Sequence, residues 1–251
     1  EETAIDVSGM TAEVETSGVR VNSIPKQGGN TYTGAFFSSY TSGDLQSNNL
    51  DDRLRARGAT SSTRTKRNWD VNPGFGGPIA RNKAWFYASY RYWGNVDLPA
   101  AAYHDSNLND FIFTPDLNRP AENPLWNKTT DGRVTWQTSS TSKLAVYGGH
   151  LDKCWCGQGA SSIRSYESTN RFVTPTNQLY QATWNWTVTN RLLVELGQTY
   201  RPEHFEYLNQ LDILNPGDPT DVPVPSNRPS LSDTASGVTY GSQPSSIYYG
   251  H

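Results

Sequence analysis

Between residues 180 and 188 every second side chain is apolar: Tyr180, Ala182, Trp184, Trp186 and Val188 alternate with Gln181, Thr183, Asn185 and Thr187. A period of two belongs to an extended strand with one greasy and one wet face. A short polar turn at Thr189 and Asn190 follows, after which Leu192, Val194 and Leu196 alternate with Leu193, Glu195, Gly197, Thr199 and Arg201. The unit is a β-hairpin. It recurs twice upstream. Val134 and Trp136 alternate with Arg133, Thr135 and Gln137, turn at 139–142, and return through Leu144 and Val146 toward His150. An earlier copy runs from Trp69 to Ile79, turns at Arg81, Asn82 and Lys83, and returns as WFYASYRYW at 85–93.

The connections between these hairpins are long. Residues 94–127, 152–174 and 202–244 are rich in Pro, Asn, Asp, Ser and Gly and show no periodicity. Turns of a few residues therefore alternate with loops of twenty or more, which an ordinary compact domain does not tolerate. Outer-membrane barrels have this asymmetry, with short periplasmic turns and long extracellular loops. Composition agrees. Hydrophobic residues make up only 35% of the chain, yet it carries eight Trp and fourteen Tyr. A disordered chain would lack the aromatics, and a soluble core would hold more aliphatics. A wall with a polar interior and aromatic belts accounts for both.

The expected fold is all-β: antiparallel up-and-down transmembrane β-barrel strands, about seven to eight of a larger barrel. Strands are expected near 31–41, 69–79, 84–93, 130–138, 143–151, 177–188, 191–201 and 246–251. Aromatics at strand ends (Trp69, Trp93, Trp126, Tyr200) suit an interfacial girdle. A soluble β-sandwich is the competing architecture, since its strands also alternate. A formal charge of −3 gives no footprint for nucleic acid. No apolar run reaches the length of a helical span. The sequence opens at Glu1 without Met or an apolar leader and closes within an incipient strand, so a piece of a longer protein is expected.

The stretch SGVRVNSIPKQGGNTYTG at 17–34 resembles TonB-dependent outer-membrane receptors, at the point where the plug domain runs into the first barrel strand. NPGFGGPI at 72–79 and KAWFYASY at 83–90 resemble the second and third barrel strands of the same group. The nearest likeness is to the large receptors with an N-terminal carboxypeptidase-regulatory-like domain. The resemblance implies a plug end at 1–30 and barrel from 31 to 251, within a barrel of about 22 strands. It also implies residence in the bacterial outer membrane, contact with lipid and lipopolysaccharide, and TonB-coupled uptake of a bulky nutrient such as a glycan, peptide or metal chelate. The segments that would engage TonB and most of the plug are not in this sequence.

Under the strand register above, Arg133, Gln137, Gln181, Asn185, Glu195 and Arg201 face the lumen, where they would hold a plug or line a polar path. Ligand contact is expected from aromatics assigned to loops: Tyr103, Phe111, Phe113, Trp126, Trp155, Phe205 and Tyr207, since rings stack on sugars and peptide planes at low entropic cost. Cys154 and Cys156 suggest a disulfide, although a Cys-X-Cys ring is small; bridging between copies, or a metal held with His150 and Asp152, are alternatives. The spacing matches no strong metal motif, and neither metal nor cofactor is expected. Arg53, Arg55, Arg57, Arg64, Lys66 and Arg67 form the one basic run, either a solvated loop balanced by Asp51 and Asp52 or a contact for lipopolysaccharide phosphates.

Catalysis finds little support. No pair among Asp51, Asp52, Asp105, Asp110, Asp116, Glu122, Glu195, Glu203 and Glu206 is singled out by spacing for glycosidase work. His104, His150, His204 and His251 lie in or beside loops and suggest no triad, and no Gly-X-Ser-X-Gly elbow occurs. A non-enzymatic receptor is expected. A soluble aromatic-rich carbohydrate-binding module and a hydrolase on a β-scaffold are the alternatives.

Overall fold

The computed structural model describes residues 2–6, 20–48, 50–58, 61–108, 110–210, 229–242 and 246–250. Near the start, β1 (Glu2–Asp6) pairs antiparallel with β2 (Arg20–Ile24). The main sheet holds nine strands. In chain order they are β3 (Thr33–Ser42), β4 (Arg64–Ala80), β5 (Ala84–Leu98), β8 (Asn123–Ser139), β9 (Ser142–Gln158), β10 (Asn170–Thr189), β11 (Leu192–Tyr200), β12 (Glu203–Asn209) and β15 (Ser246–Gly250). Two small hairpins sit in the loops: β6 (Tyr103–Asp105) with β7 (Pro115–Pro120), and β13 (Ser230–Ser232) with β14 (Thr239–Gly241).

Every strand pairing in the main sheet is antiparallel and joins neighbours in the chain order of the sheet, so the architecture is an up-and-down meander. The sheet is open. β11 and β12 act as one strand with a break. β11 pairs with the turn-side half of β10 and β12 with its other half. Pro202 at the break has no N–H for the ladder, and its carbonyl instead accepts from the Gln178 N–H at 3.1 Å.

All eight strands expected from sequence are present, but several are longer. β8 begins at Asn123 rather than near 130, β9 runs on to Gln158, and β10 starts at Asn170. β12 was not expected. The described residues of 94–127, 152–174 and 202–244 are therefore not structureless. Strands enter the first two from both sides and the third at its start, and among the described residues short hairpins and a 3-10 turn at Tyr166–Ser168 add further order, as α1 (Asp52–Ala56) does in the preceding loop. Ladder hydrogen bonds carry these extensions even where side-chain alternation fades.

Because paired residues share a face, the register assigns each side chain. Phe36, Phe75, Phe86, Val134, Val146, Ala182 and Leu196 fall on one face. Phe36, Phe75, Val134, Val146 and Leu196 are 46–72% exposed there. The opposite face carries Asp70, Arg91, Asp131, Arg133, Asn185 and Glu195. Trp186, Val134 and Leu192 are exposed and Trp184 is half-buried, so no core seals them. Nearly all buried apolar side chains among the described residues lie at the loop end: Val96, Ala102, Ala121, Cys154 and Tyr240.

On the apolar face Tyr40 pairs with Trp69, Trp69 with Gly94, and Gly94 with Trp126, giving an aromatic row near the loop end. The glycine is required by packing. A Cβ at Gly94 would meet the Trp69 ring at 2.6 Å and also the Leu125 carbonyl. Gly94→Val should therefore destabilise the sheet by about 1–3 kcal/mol, measured by urea titration of tryptophan fluorescence in micelles. An unchanged midpoint would mean that Trp69 does not lie across that strand.

Candidate functional site: a loop cavity and a strapped polar face

Three of the ring-bearing residues expected to touch ligand converge. Tyr103, Phe111 and Phe113 line one cavity of about 790 Å³, with Ile112, Pro115, Ser232, Asp233, Val238 and Tyr240. The β6–β7 connection supplies one wall and the β13–β14 hairpin the other. Tyr240 joins them: its hydroxyl donates to the Phe111 carbonyl at 2.7 Å and its ring lies 5.9 Å from Phe113. Phe111 and Ile112 remain 68% and 69% exposed at the rim. An apolar, ring-lined wall facing a hydroxyl-bearing one suits a ligand with both kinds of surface.

The polar wall is built around Asp233. Its carboxylate accepts from the Ser236 hydroxyl at 2.5 Å and from the Ala235 N–H at 2.9 Å. These bonds, the Ser236 hydroxyl first and the Ala235 N–H next, hold the Asp233 carboxyl below the usual carboxylate range. A lowered native pKa means that the turn gains stability above the unfolded value and loses it as pH falls through the native one.

The cavity rests on a buried polar cluster. His104 Nδ1 lies 2.8 Å from Glu167 Oε1, and the Asp105 N–H donates to Glu167 Oε2 at 3.2 Å. The Glu167 side chain is only 7% exposed. Ser165, Ser168 and Thr169 are buried beside it, and the Ser165 N–H donates to the Thr239 carbonyl at 2.9 Å. Three loops far apart in sequence are thus joined where their polar groups find one another.

The other four aromatics stand in the main sheet, because β8 and β9 run further than side-chain alternation indicated and β12 was not expected. Trp126 belongs to the aromatic row on the apolar face. Trp155, on β9, donates from its indole N–H to Asn123 Oδ1 at 2.7 Å. Phe205 and Tyr207 pack around Phe172, with ring centroids 5.7 and 5.0 Å away. Phe172 pairs in register with both Trp155 and Tyr207, so these rings make a second aromatic group on the polar face. Sequence reasoning missed Phe172, Glu167 and Tyr240; the first lies on a stretch with weak alternation, the others in polar loops.

Of the residues expected to face a lumen, Arg133, Gln137, Gln181, Asn185 and Glu195 share the polar face by register. Arg201 lies just beyond β11 and pairs with Glu203 at 2.7 Å. The segment 25–30 is strapped across the turn-side part of this face. Arg133 Nη1 donates to the Pro25 carbonyl at 2.9 Å, and Lys143 Nζ to Gln27 Oε1 at 3.3 Å. Asn30 Oδ1 accepts from the Trp85 indole and from the Asn82 N–H, both at 2.8 Å. Gly28 lets the strap lie on the sheet backbone, since a Cβ would stand 2.9 Å from the Gly77 carbonyl and overlap that of Phe86.

Cys154 and Cys156 are joined in a disulfide on one face of β9. Among the described residues no three His, Cys, Asp or Glu side chains group as a metal site. His150 and His204 stand in β9 and β12, and His251 lies outside the described residues. In the basic run, Asp51 caps α1 by accepting from the Leu54 N–H at 2.8 Å, and Lys66 pairs with Glu122. No family model, no curated protein and no solved structure matches the chain.

Two outcomes are expected. Asn30→Ala should free the strap, raising hydrogen exchange in residues 25–32 by the equivalent of about 1–3 kcal/mol; unchanged exchange would show that other contacts hold it. Amide protection at Ala235 and Ser236 should fall in acid below the usual carboxylate range in the wild type. In Asp233→Asn that acid-dependent loss should be absent.

Proposed function

We propose that this chain forms part of the wall of a TonB-dependent receptor in the bacterial outer membrane, importing a bulky nutrient recognised at the loop cavity. One observation carries the reading: the apolar face of a long-stranded meander is bounded by aromatic residues at both ends and has no second layer over it among the described residues. On β8, Trp126 and Trp136 mark the two ends, ten residues apart on the same face. At about 3.3 Å per residue that is roughly 33 Å along the strand. A strand tilt of about 40° reduces it to a height of roughly 25 Å, the apolar band of an outer-membrane barrel.

Energetics support the same reading. Phe36, Phe75, Ile79, Val134, Val146 and Leu196 are all exposed. Burying each such side chain contributes about 1.5–3 kcal/mol, which lipid would supply and water would not. The polar face then lines the interior, and the strap at 25–30 corresponds to the plug end entering the barrel. Arg133, Lys143, Trp85 and Asn82 fasten it. The loop cavity faces outward, and a glycan, peptide or chelate with apolar and hydroxyl-rich surfaces fits its two walls. No covalent step is assigned to it.

Brominated-lipid quenching provides the test. In bilayers, Trp136, Trp184 and Trp186 should be quenched by bromines placed near the interface on the turn side. Mid-chain bromines should quench them less. A chain that stays monodisperse without detergent and shows no quenching would instead be the soluble carbohydrate-binding module. Turnover of a glycoside panel, abolished by one loop carboxylate substitution, would favour the hydrolase.

A further inference from the structure

Along the main sheet the chain seats its own cations on aromatic rings. Arg67 lies 5.5 Å from the Trp69 centroid, Lys128 Nζ 4.8 Å from that of Trp126, and Lys153 Nζ 5.2 Å from that of Phe172. The rings of the loop cavity differ. Among the described residues no Lys or Arg lies over Tyr103, Phe111, Phe113 or Tyr240, and no Lys, Arg or His lines the cavity. Arg164, in the neighbouring loop, sets its guanidinium against Gly159 instead, where an added Cβ would stand 2.9 Å from Nη1.

The charged group that does line the cavity is the Asp233 carboxylate. Its Oδ1 accepts from the Ala235 N–H, and its Oδ2 from the Ser236 N–H at 3.3 Å and from the Ser236 hydroxyl. These bonds fill three of the roughly four acceptor positions of a carboxylate and hold it ionised. Asp233 therefore has more charge than acceptor capacity to offer, which suits a cation with few or no N–H donors. The segments that build the two walls, 103–120 and 229–242, carry Asp105, Asp110, Asp116 and Asp233 against Arg119 and His104. Their balance is acidic.

A quaternary ammonium is attracted to ring faces by the ring quadrupole, and several rings around one space recognise it together. Phe113 and Tyr240, with centroids 5.9 Å apart and planes inclined by 32°, are not sandwiched face to face. Tyr240 is 8% exposed and fixed by its bond to the Phe111 carbonyl, while the Phe111 ring stands open at the rim.

We propose that the loop cavity binds an organic cation, a quaternary ammonium group without phosphate, among the rings of Tyr103, Phe111, Phe113 and Tyr240 with Asp233 as counter-charge. The proposal rests on the reading of this cavity as the place of ligand recognition and names the chemical class that it selects. An anionic chelate is disfavoured, because no cation among the lining residues would neutralise it.

Saturation-transfer NMR on the full chain in polyoxyethylene micelles, which carry neither charge nor sugar, supplies the test. The probe is choline, set against its uncharged isostere in which a tert-butyl group replaces the trimethylammonium head. Choline should bind about tenfold more tightly than the isostere. It should also bind more tightly than glycerophosphocholine, whose phosphate would meet Asp233. Phe113→Leu and Tyr103→Leu each keep apolar bulk and remove a ring, so each should weaken choline about fivefold and leave the isostere unchanged. Asp233→Asn keeps an oxygen for the Ala235 N–H and should weaken choline alone. Equal binding of choline and isostere, tighter binding of glycerophosphocholine, or a loss shared by both probes in the two ring variants would overturn the cation site. Choline preference without bromine quenching in bilayers would uphold the site and remove the outer-membrane wall. Quenching with neither probe bound would remove the site and leave the wall standing.

Discussion

Backbone pairing fixes everything else in this molecule. Neighbouring strands exchange hydrogen bonds along ladders of up to fourteen paired positions, as between β5 and β8. A slip of one residue would carry Val134 and Trp136 to the side of Arg133 and Thr135, and would do so for every strand beyond. The two faces are so unlike that such a slip is costly. Register, not a packed interior, therefore carries the specificity of the sheet. The buried apolar core of an ordinary domain is nearly absent along the strands and reappears only under the loops.

That reversal explains how loops of this length hold a shape. At the loop end, Val96 of β5 and Ala102 and Ala121 beyond it bury completely, and the Ala121 N–H donates to the Ala102 carbonyl at 2.9 Å. Glu167 is the centre of the polar part, joining His104 and Asp105 across more than sixty residues of chain. Removing either partner would leave a buried polar group without its hydrogen bond, at a cost of about 1–3 kcal/mol. The cavity walls are thus set on a fixed base, while Phe111 and Ile112 at the rim stay exposed.

How much of this was legible depends on the range of the interaction that fixes each part. Trp184 and Trp186 announce their strand because their alternation is local, and the eight expected strands were found on that basis. β12 escaped because Pro202 interrupts the strand, and because its side chains, Glu203 through Asn209, mix charge and ring on both faces. The first residues of β8, Asn123 and Pro124, have loop chemistry but are drawn into the ladder by β5. Tyr103, Phe111 and Phe113 were legible as loop aromatics, but their meeting at Tyr240 depends on a contact 129 residues distant. Glu167 carries no local mark at all. A lone carboxylate in a serine-rich loop acquires meaning only once His104 is beside it.

The strap and the aromatic row bear on each other. Segment 25–30 lies on the polar face, held by Arg133 and Trp85, while Tyr32, two residues past Asn30, sets its ring against Gly77 on the apolar face and donates to the Pro78 carbonyl at 3.1 Å. The chain thus passes from one side of the sheet to the other at the turn end and there becomes the edge strand β3. In a closed wall a segment entering from within must cross in this way before it can pair. In the proposed barrel the aromatic face would then be the outer one. A strap on the polar face and exposed apolar side chains on the other are the two features from which the proposed inside and outside are argued.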